Sequence, residues 1–324
     1  MAITDANAIT IGTSSVGGAF NIVATSTSFL NGFSANNYSF SGGTYTLAAG
    51  TYNLGGTTTV ASGATVTASG ATINGAGGTM DVAGTLNASG GTLTSGTMNV
   101  TGTLNTSGSA LNIGTLNVGV GGALTGTGTI QGNVNNVAGT VSPGASPGIL
   151  TISGNYTQGA SGVLNMEIGG LVAGTDYDQL KVLGTTSLAG TLNTALINGF
   201  VPVPGQTFTL VQSTGAITGT FTTVNQPVGA LFNSFYGPTT VDFISASTAA
   251  VPPQLVPVVQ NTIVSIDQVL VAVNQSTSTS AESGLLLVPA IDVSPATEAR
   301  DESKAAAGPD KKEEKSVAKK TYCN

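Results

Sequence analysis

From Gly78 to Val118 the chain aligns with itself in steps of 18 residues. Gly78-Thr-Met-Asp-Val82 returns as Gly96-Thr-Met-Asn-Val100 and again as Gly114-Thr-Leu-Asn-Val118. Gly84-Thr-Leu-Asn87 returns as Gly102-Thr-Leu-Asn105, and Leu93 returns as Leu111. A unit so short cannot bury its own apolar face. Copies must stack and share one continuous core, which is the arrangement of a solenoid.

Inside each unit apolar residues alternate with small polar ones, as in Met98-Asn99-Val100. That period of two sends one set of side chains inward and the other outward. Glycine recurs too often for a helix and marks corners between short strands. The pattern predicts an all-β chain, a parallel β-helix of about 18–20 residues per rung, each rung rising by one strand spacing of about 4.8 Å. Met80, Val82, Leu86 and Leu93 are expected inside, stacked against Met98, Val100, Leu104 and Leu111. Leu116 and Val118 continue the stack, which then slips by about two residues to Leu124 and Ile130 through a corner insertion.

Stacking also explains the missing charge. Between Asp5 and Glu167 the only charged residue is Asp81. A charge repeated in every rung would form a like-charge column, repelling by roughly 1 kcal/mol per neighbour in water. The column Asp81, Asn99, Asn117 instead sets one carboxylate beside two neutral amides, which can hydrogen-bond as a ladder. Threonine, serine and asparagine on the outer faces suit strands and turns without self-repulsion.

Several function classes are excluded by composition. With 7% charged residues, a net charge of −7 and no histidine, the chain lacks the basic surface that nucleic acid requires. No apolar run approaches the roughly 18 residues of a spanning helix. Met1 to Thr10 has neither a basic region nor an apolar core of signal-peptide type, so either the protein stays inside or, as is expected here, this is the distal part of a longer exported protein. The lone Cys323 permits no internal disulfide.

Along the chain, residues 1–54 read as an irregular N-terminal β region rich in aromatics: Phe20, Phe29, Phe33, Tyr38, Phe40, Tyr45 and Tyr52. Such residues suit a cap or transitional rungs. Residues 55–141 are the regular repeats, with Val66-Thr-Ala-Ser-Gly70 echoed by Leu86-Asn-Ala-Ser-Gly90 twenty residues later. Residues 142–245 open on two Pro-Gly turns and regain aromatics, as broader terminal rungs and a cap. Strands are expected at 179–182, 187–196, 207–212 and 220–224. Residues 246–297 form a proline- and valine-rich linker with one short helix at Asn261–Asn274, and 298–324 a disordered tail crowding six acids and seven bases.

The run Gly139-Thr-Val-Ser-Pro-Gly-Ala-Ser-Pro-Gly148 is followed by Gly154-Asn-Tyr-Thr-Gln158, Tyr177-Asp-Gln-Leu180 and Gly190-Thr-Leu192. Asn198-Gly-Phe200, Gly205-Gln-Thr-Phe208 and Gly219-Thr-Phe221 come next. Over residues 40–245 this string resembles the end of a bacterial autotransporter passenger, and is similar to segments closing the shafts of filamentous-haemagglutinin-like exoproteins. The resemblance implies a right-handed β-helix, an extracellular or cell-surface location and an adhesive or biofilm role. It further implies contact with host or abiotic surfaces, glycans or matrix polymer, and an outer-membrane secretion partner. Two departures stand out: no barrel strands follow Phe243, and no secretion domain precedes the repeats. A cysteine near a charged terminus occurs in some such proteins, which makes Cys323 a candidate tether, against an inert thiol.

Parallel β-helices also carry polysaccharide-cleaving enzymes, which need paired carboxylates about 5–9.5 Å apart. The candidates are Asp176 and Asp178, with Lys181 beside them. Their place beside Gly174 reads as a turn in which aspartate bonds its own backbone. No catalytic, cofactor or metal site is therefore assigned: aspartates do not recur in the calcium-binding pattern, and Gly126 and Gly128 have no lysine near to make a phosphate loop. Thr57-Thr58-Thr59 and Thr125-Gly-Thr127-Gly-Thr129 suggest a water-ordering array, with ordinary strand threonine as the plainer reading. Asn87, Asn99, Asn105 and Asn155 stand in glycan-acceptor sequences. The expectation is a non-enzymatic shaft, with a polysaccharide-modifying enzyme or an inactive fragment as alternatives.

Overall fold

The structure, a computed structural model, describes residues 32–246 and, before them, the strands Ala2–Thr4, Ala8–Ile11, Ser14–Val23 and Ser26–Phe29. The expected helix at Asn261–Asn274, the charged tail and Cys323 lie outside the described residues. The described residues hold strands and connections but no helix. Their strands form two sheets, of 17 and 11 strands, in a β-solenoid.

One rung shows how the repeat becomes structure. The strand Thr92–Val100 bends at Gly96 and pairs in parallel with Thr72–Val82 on one side and Ser109–Val118 on the other. A short corner at Thr101 and Gly102 leads to Thr103–Ser107, which pairs with Thr85–Ser89 and Ala123–Gly126 in the second sheet. Met80, Met98 and Leu116 are register partners, as are Val82, Val100 and Val118. Leu86 pairs with Leu104, and Leu93 with Leu111. All ten are at most 2% exposed, and each such side chain contributes about 1.5–3 kcal/mol by leaving water.

Leu104 next meets Leu124, and Leu111 meets Ile130. The slip arises because Val118 and Ala123 are separated by Gly119–Gly122, two residues longer than the preceding corner. Corners hold glycine for want of room. A Cβ on Gly102 would sit 2.0 Å from the carbonyl oxygen of Gly84, and one on Gly114 would sit 2.7 Å from that of Gly96. Stacked corners approach backbone to backbone, which only hydrogen side chains permit.

The same pairing continues on both sides of the regular repeats. Phe33–Phe40 pairs in parallel with Thr51–Leu54 and Thr57–Val60, while Gly43–Leu47 pairs with Ala64–Ser69. Here rings replace aliphatic side chains: Phe33, Tyr38, Phe40, Tyr45 and Tyr52 are buried. Edge-on contacts link Phe33 to Tyr38 at 5.1 Å and Phe40 to Tyr45 at 4.9 Å. Thr58 stands inside, between Tyr38 and Met80 in register.

Toward the other end the rungs lengthen. The span expected as one strand at 187–196 is two strands, Thr186–Leu188 and Thr191–Leu196 in different sheets, divided at Gly190 (φ +67°). Thr207–Ser213 is followed by a change of direction. Thr240–Ala246 lies antiparallel on it, and Leu231–Tyr236 lies antiparallel on Thr240–Ala246. Phe208, and Phe243 of the hairpin itself, are fully buried, with Phe232 of the other hairpin strand touching both at 5.7 and 5.6 Å.

Candidate functional surface

Alternation leaves the second sheet with two outward columns. Thr65, Thr85, Thr103, Ala123 and Thr140 form one, and Thr67, Asn87, Asn105, Thr125 and Ser142 form the other. All are half-exposed. None is charged, and neighbours in a column lie one strand spacing apart, about 4.8 Å.

On the first sheet the asparagines form a ladder. Asn99 Nδ2 donates to Asp81 Oδ1 at 2.8 Å, Asn117 donates to Asn99 at 2.9 Å, and Asn135 donates to Asn117 at 3.1 Å. A second ladder escaped the repeat pattern: Asn225 donates to Asn193, Asn193 to Asn165, and Asn165 to the Ser142 hydroxyl. A third runs from Asn74 through Asn53 to Ser34. In all three the amide donates toward the N-terminal rung.

Among the described residues charge gathers in one stretch. Glu167, Asp176, Asp178 and Lys181 fall within fifteen residues, where the strand Val163–Ile168 passes through a loop to Gln179–Val182. Asp176 Oδ2 accepts the backbone N–H groups of Leu171 and Val172, at 3.2 and 3.1 Å, closing the loop on itself. Asp178 is 2% exposed. Its Oδ1 accepts Gly148 N–H at 2.8 Å and its Oδ2 accepts Glu167 N–H at 2.9 Å. Burial pushes its carboxyl up to about 6, the Glu167 charge adds to the rise, and the two N–H bonds oppose it. Lys181 is exposed, between inward Leu180 and Val182. Both aspartates thus hold backbone N–H groups with their carboxylate oxygens.

The remaining candidates fall into place by register. Thr57 and Thr59 face out but Thr58 faces in, because alternate residues of a strand point to opposite sides. Thr125 belongs to the second sheet and Thr129 to the first, so a corner divides that threonine array. Asn99 is committed to its ladder. Asn155 Oδ1 accepts both the N–H and the hydroxyl of Thr185, and Asn105 Oδ1 accepts the Ser107 hydroxyl. Asn87 is half-exposed between Thr67 and Asn105. Among the described residues no three His, Cys, Asp or Glu side chains are placed to hold a metal ion, and no helix is long and apolar enough to cross a membrane. In comparisons with known proteins, the chain matches no family model and no curated protein.

What this surface offers chemically is repetition. Along the two columns hydroxyl and amide groups recur from rung to rung, broken only at Ala123, while the ladder amides are already satisfied within the chain.

Proposed function

We propose that this chain is a length of non-enzymatic structural shaft from a bacterial surface or secreted adhesin-like protein, working outside the cell. The observation that carries this reading is the uncharged, strand-spaced array of threonine and asparagine on the second sheet, built on a continuous core. Binding would be extended and polar, to glycans, matrix polymer or host and abiotic surfaces, through many weak contacts. An outer-membrane partner would deliver the shaft. The resemblance of residues 40–245 to autotransporter passengers and filamentous-haemagglutinin-like exoproteins supports the same role.

The test is retention. The full chain is incubated with insoluble polysaccharides and with bare polymer beads, and bound protein and released reducing ends are both measured. Retention without release is expected, with weaker retention for Thr85→Lys and Asn105→Lys. Failure to be retained on any matrix overturns the adhesive role. Release of reducing ends that disappears in the Asp176→Asn/Asp178→Asn variant favours the polysaccharide-modifying reading instead.

A further inference from the structure

The parallel rungs stop at the terminal hairpin, but a hairpin does not close a sheet. Among the described residues Leu231–Tyr236 pairs with Thr240–Ala246 and with no other strand, so it has a second edge. Ser245 N–H donates to the Gln206 carbonyl, and the Ser245 carbonyl accepts from Gly205, both on the side away from that edge. Its register partner Phe232 therefore turns its own N–H and C=O outward, away from the hairpin. Direction alternates along a strand, so Ser234 and Tyr236 turn theirs the same way. A row of such groups is what an incoming strand pairs with. The strand carries none of the usual deterrents: it has no charge and no proline, and Phe235 is 59% exposed.

Gln226 closes the first of these positions. Its Nε2 donates to the Phe232 carbonyl and its Oε1 accepts the Phe232 N–H, both at 3.1 Å. An antiparallel partner residue would make the same two bonds, one to each group. The side-chain amide thus stands in for one residue of a further strand. Gln226 follows directly on Thr223–Asn225, the last strand of the second sheet, so one residue finishes both sheets. Pro227 comes next, buried and without an N–H to offer.

We propose that the Gln226 amide is a built-in strand mimic, which keeps this edge from pairing with the same edge of a second copy. The occupant it excludes is Leu231–Tyr236 of another chain, running antiparallel. About a two-fold centre at Ser234, Phe232 would exchange bonds with Tyr236 of the second copy, and Asn233 would lie opposite Phe235 of the second copy. Neither strand has a charge to repel the other. Without the amide, two shafts join hairpin to hairpin and share one sheet. With it, each ends alone.

Sedimentation equilibrium of the full chain tests the mimic. The parent is expected to be a monomer. Gln226→Leu keeps an apolar side chain of similar length and loses both bonds, and should self-associate at least about tenfold more tightly. Gln226→Leu/Phe235→Lys sets a charge at an exposed position on the unguarded edge and should return to the monomer. Native-state hydrogen exchange of the parent keeps the test decisive should Gln226→Leu fail to fold. There the Phe232 N–H should exchange at least about tenfold more slowly than those of Ser234 and Tyr236. A monomeric Gln226→Leu protein overturns the proposal, as does association that survives Phe235→Lys. So does a parent in which Ser234 is protected as strongly as Phe232.

Discussion

Asn99 gives one amide proton to the Asp81 carboxylate at 2.8 Å, and its own carbonyl accepts from Asn117 at 2.9 Å. The column therefore has a direction, with a single anion at its accepting end. One carboxylate is tolerated because the amide beside it is a donor, and a second would not be. Asn99→Asp removes that donor and places like charges one strand spacing apart. A loss of about 1–3 kcal/mol at neutral pH is expected, from repulsion and a broken hydrogen bond together. Urea unfolding should show most of it regained in strong acid, where both carboxylates are neutral. Asp81→Asn, which keeps an acceptor, should change little.

Corner glycines separate into two kinds. A Cβ at Gly102 meets the Gly84 carbonyl oxygen at 2.0 Å and the Ala83 carbonyl oxygen at 2.5 Å, both backbone atoms that cannot step aside. At Gly119 the nearest atom is the Thr101 methyl at 3.5 Å, an ordinary contact. Gly102→Ala should lower the urea midpoint by the equivalent of about 2–4 kcal/mol, since the rungs must spread. Gly119→Ala should stay within about 0.5 kcal/mol of the parent.

Leu104 is fully buried between Leu86 and Leu124, and its neighbour Thr103 points outward from the same strand. Leu104→Ala opens a void in a stack whose spacing is fixed by backbone ladders, so the walls cannot close on it. A cost of about 2–5 kcal/mol is expected, against about 0.5 kcal/mol or less for Thr103→Ala. Circular dichroism during urea unfolding measures both. Equal losses would mean that the register of this strand is wrong.

The regular rungs were legible because geometry and sequence share one period. Leu86 sits over Leu104 since each rung spends the same residues on strands and corners, and the longer Gly119–Gly122 corner announced its own slip. Where loops vary, the period vanishes. Asn165, Asn193 and Asn225 are 28 and 32 residues apart, yet each amide reaches the next as Asn117 reaches Asn99 across 18, and no fixed spacing marks them. The terminal hairpin was hidden for another reason: alternation is the same in parallel and antiparallel strands, so Leu231–Tyr236 and Thr240–Ala246 carry no mark of their direction. Thr58 was misplaced because threonine is at home on either side of a strand. At the candidate site, the turn around Asp176 could be read from its neighbours, but the grip of Asp178 on Gly148 joins residues 30 apart.

Gln158 tests whether a buried amide is holding a corner together. It continues the inward column Val82, Val100, Val118 and Asn136, where the aliphatic run gives way to amides. Its Nε2 group reaches the carbonyls of Gly162, Ala189 and Thr191 at 3.0–3.1 Å, and its Oε1 accepts the Tyr156 hydroxyl at 2.7 Å. Gln158→Leu restores the aliphatic pattern at similar volume, so packing alone predicts a neutral or favourable change. Hydrogen bonding predicts the reverse: the substitution takes a buried donor from carbonyls of two rungs and an acceptor from the Tyr156 hydroxyl, at a cost of roughly 2–5 kcal/mol. The double variant Gln158→Leu/Tyr156→Phe also removes the hydroxyl that lost its Gln158 acceptor and should recover about 1 kcal/mol of that loss. Urea unfolding of the parent, both single variants and the double variant closes the cycle. A Gln158→Leu protein as stable as the parent would show that the corner carbonyls find other donors and that the amide is not what holds them.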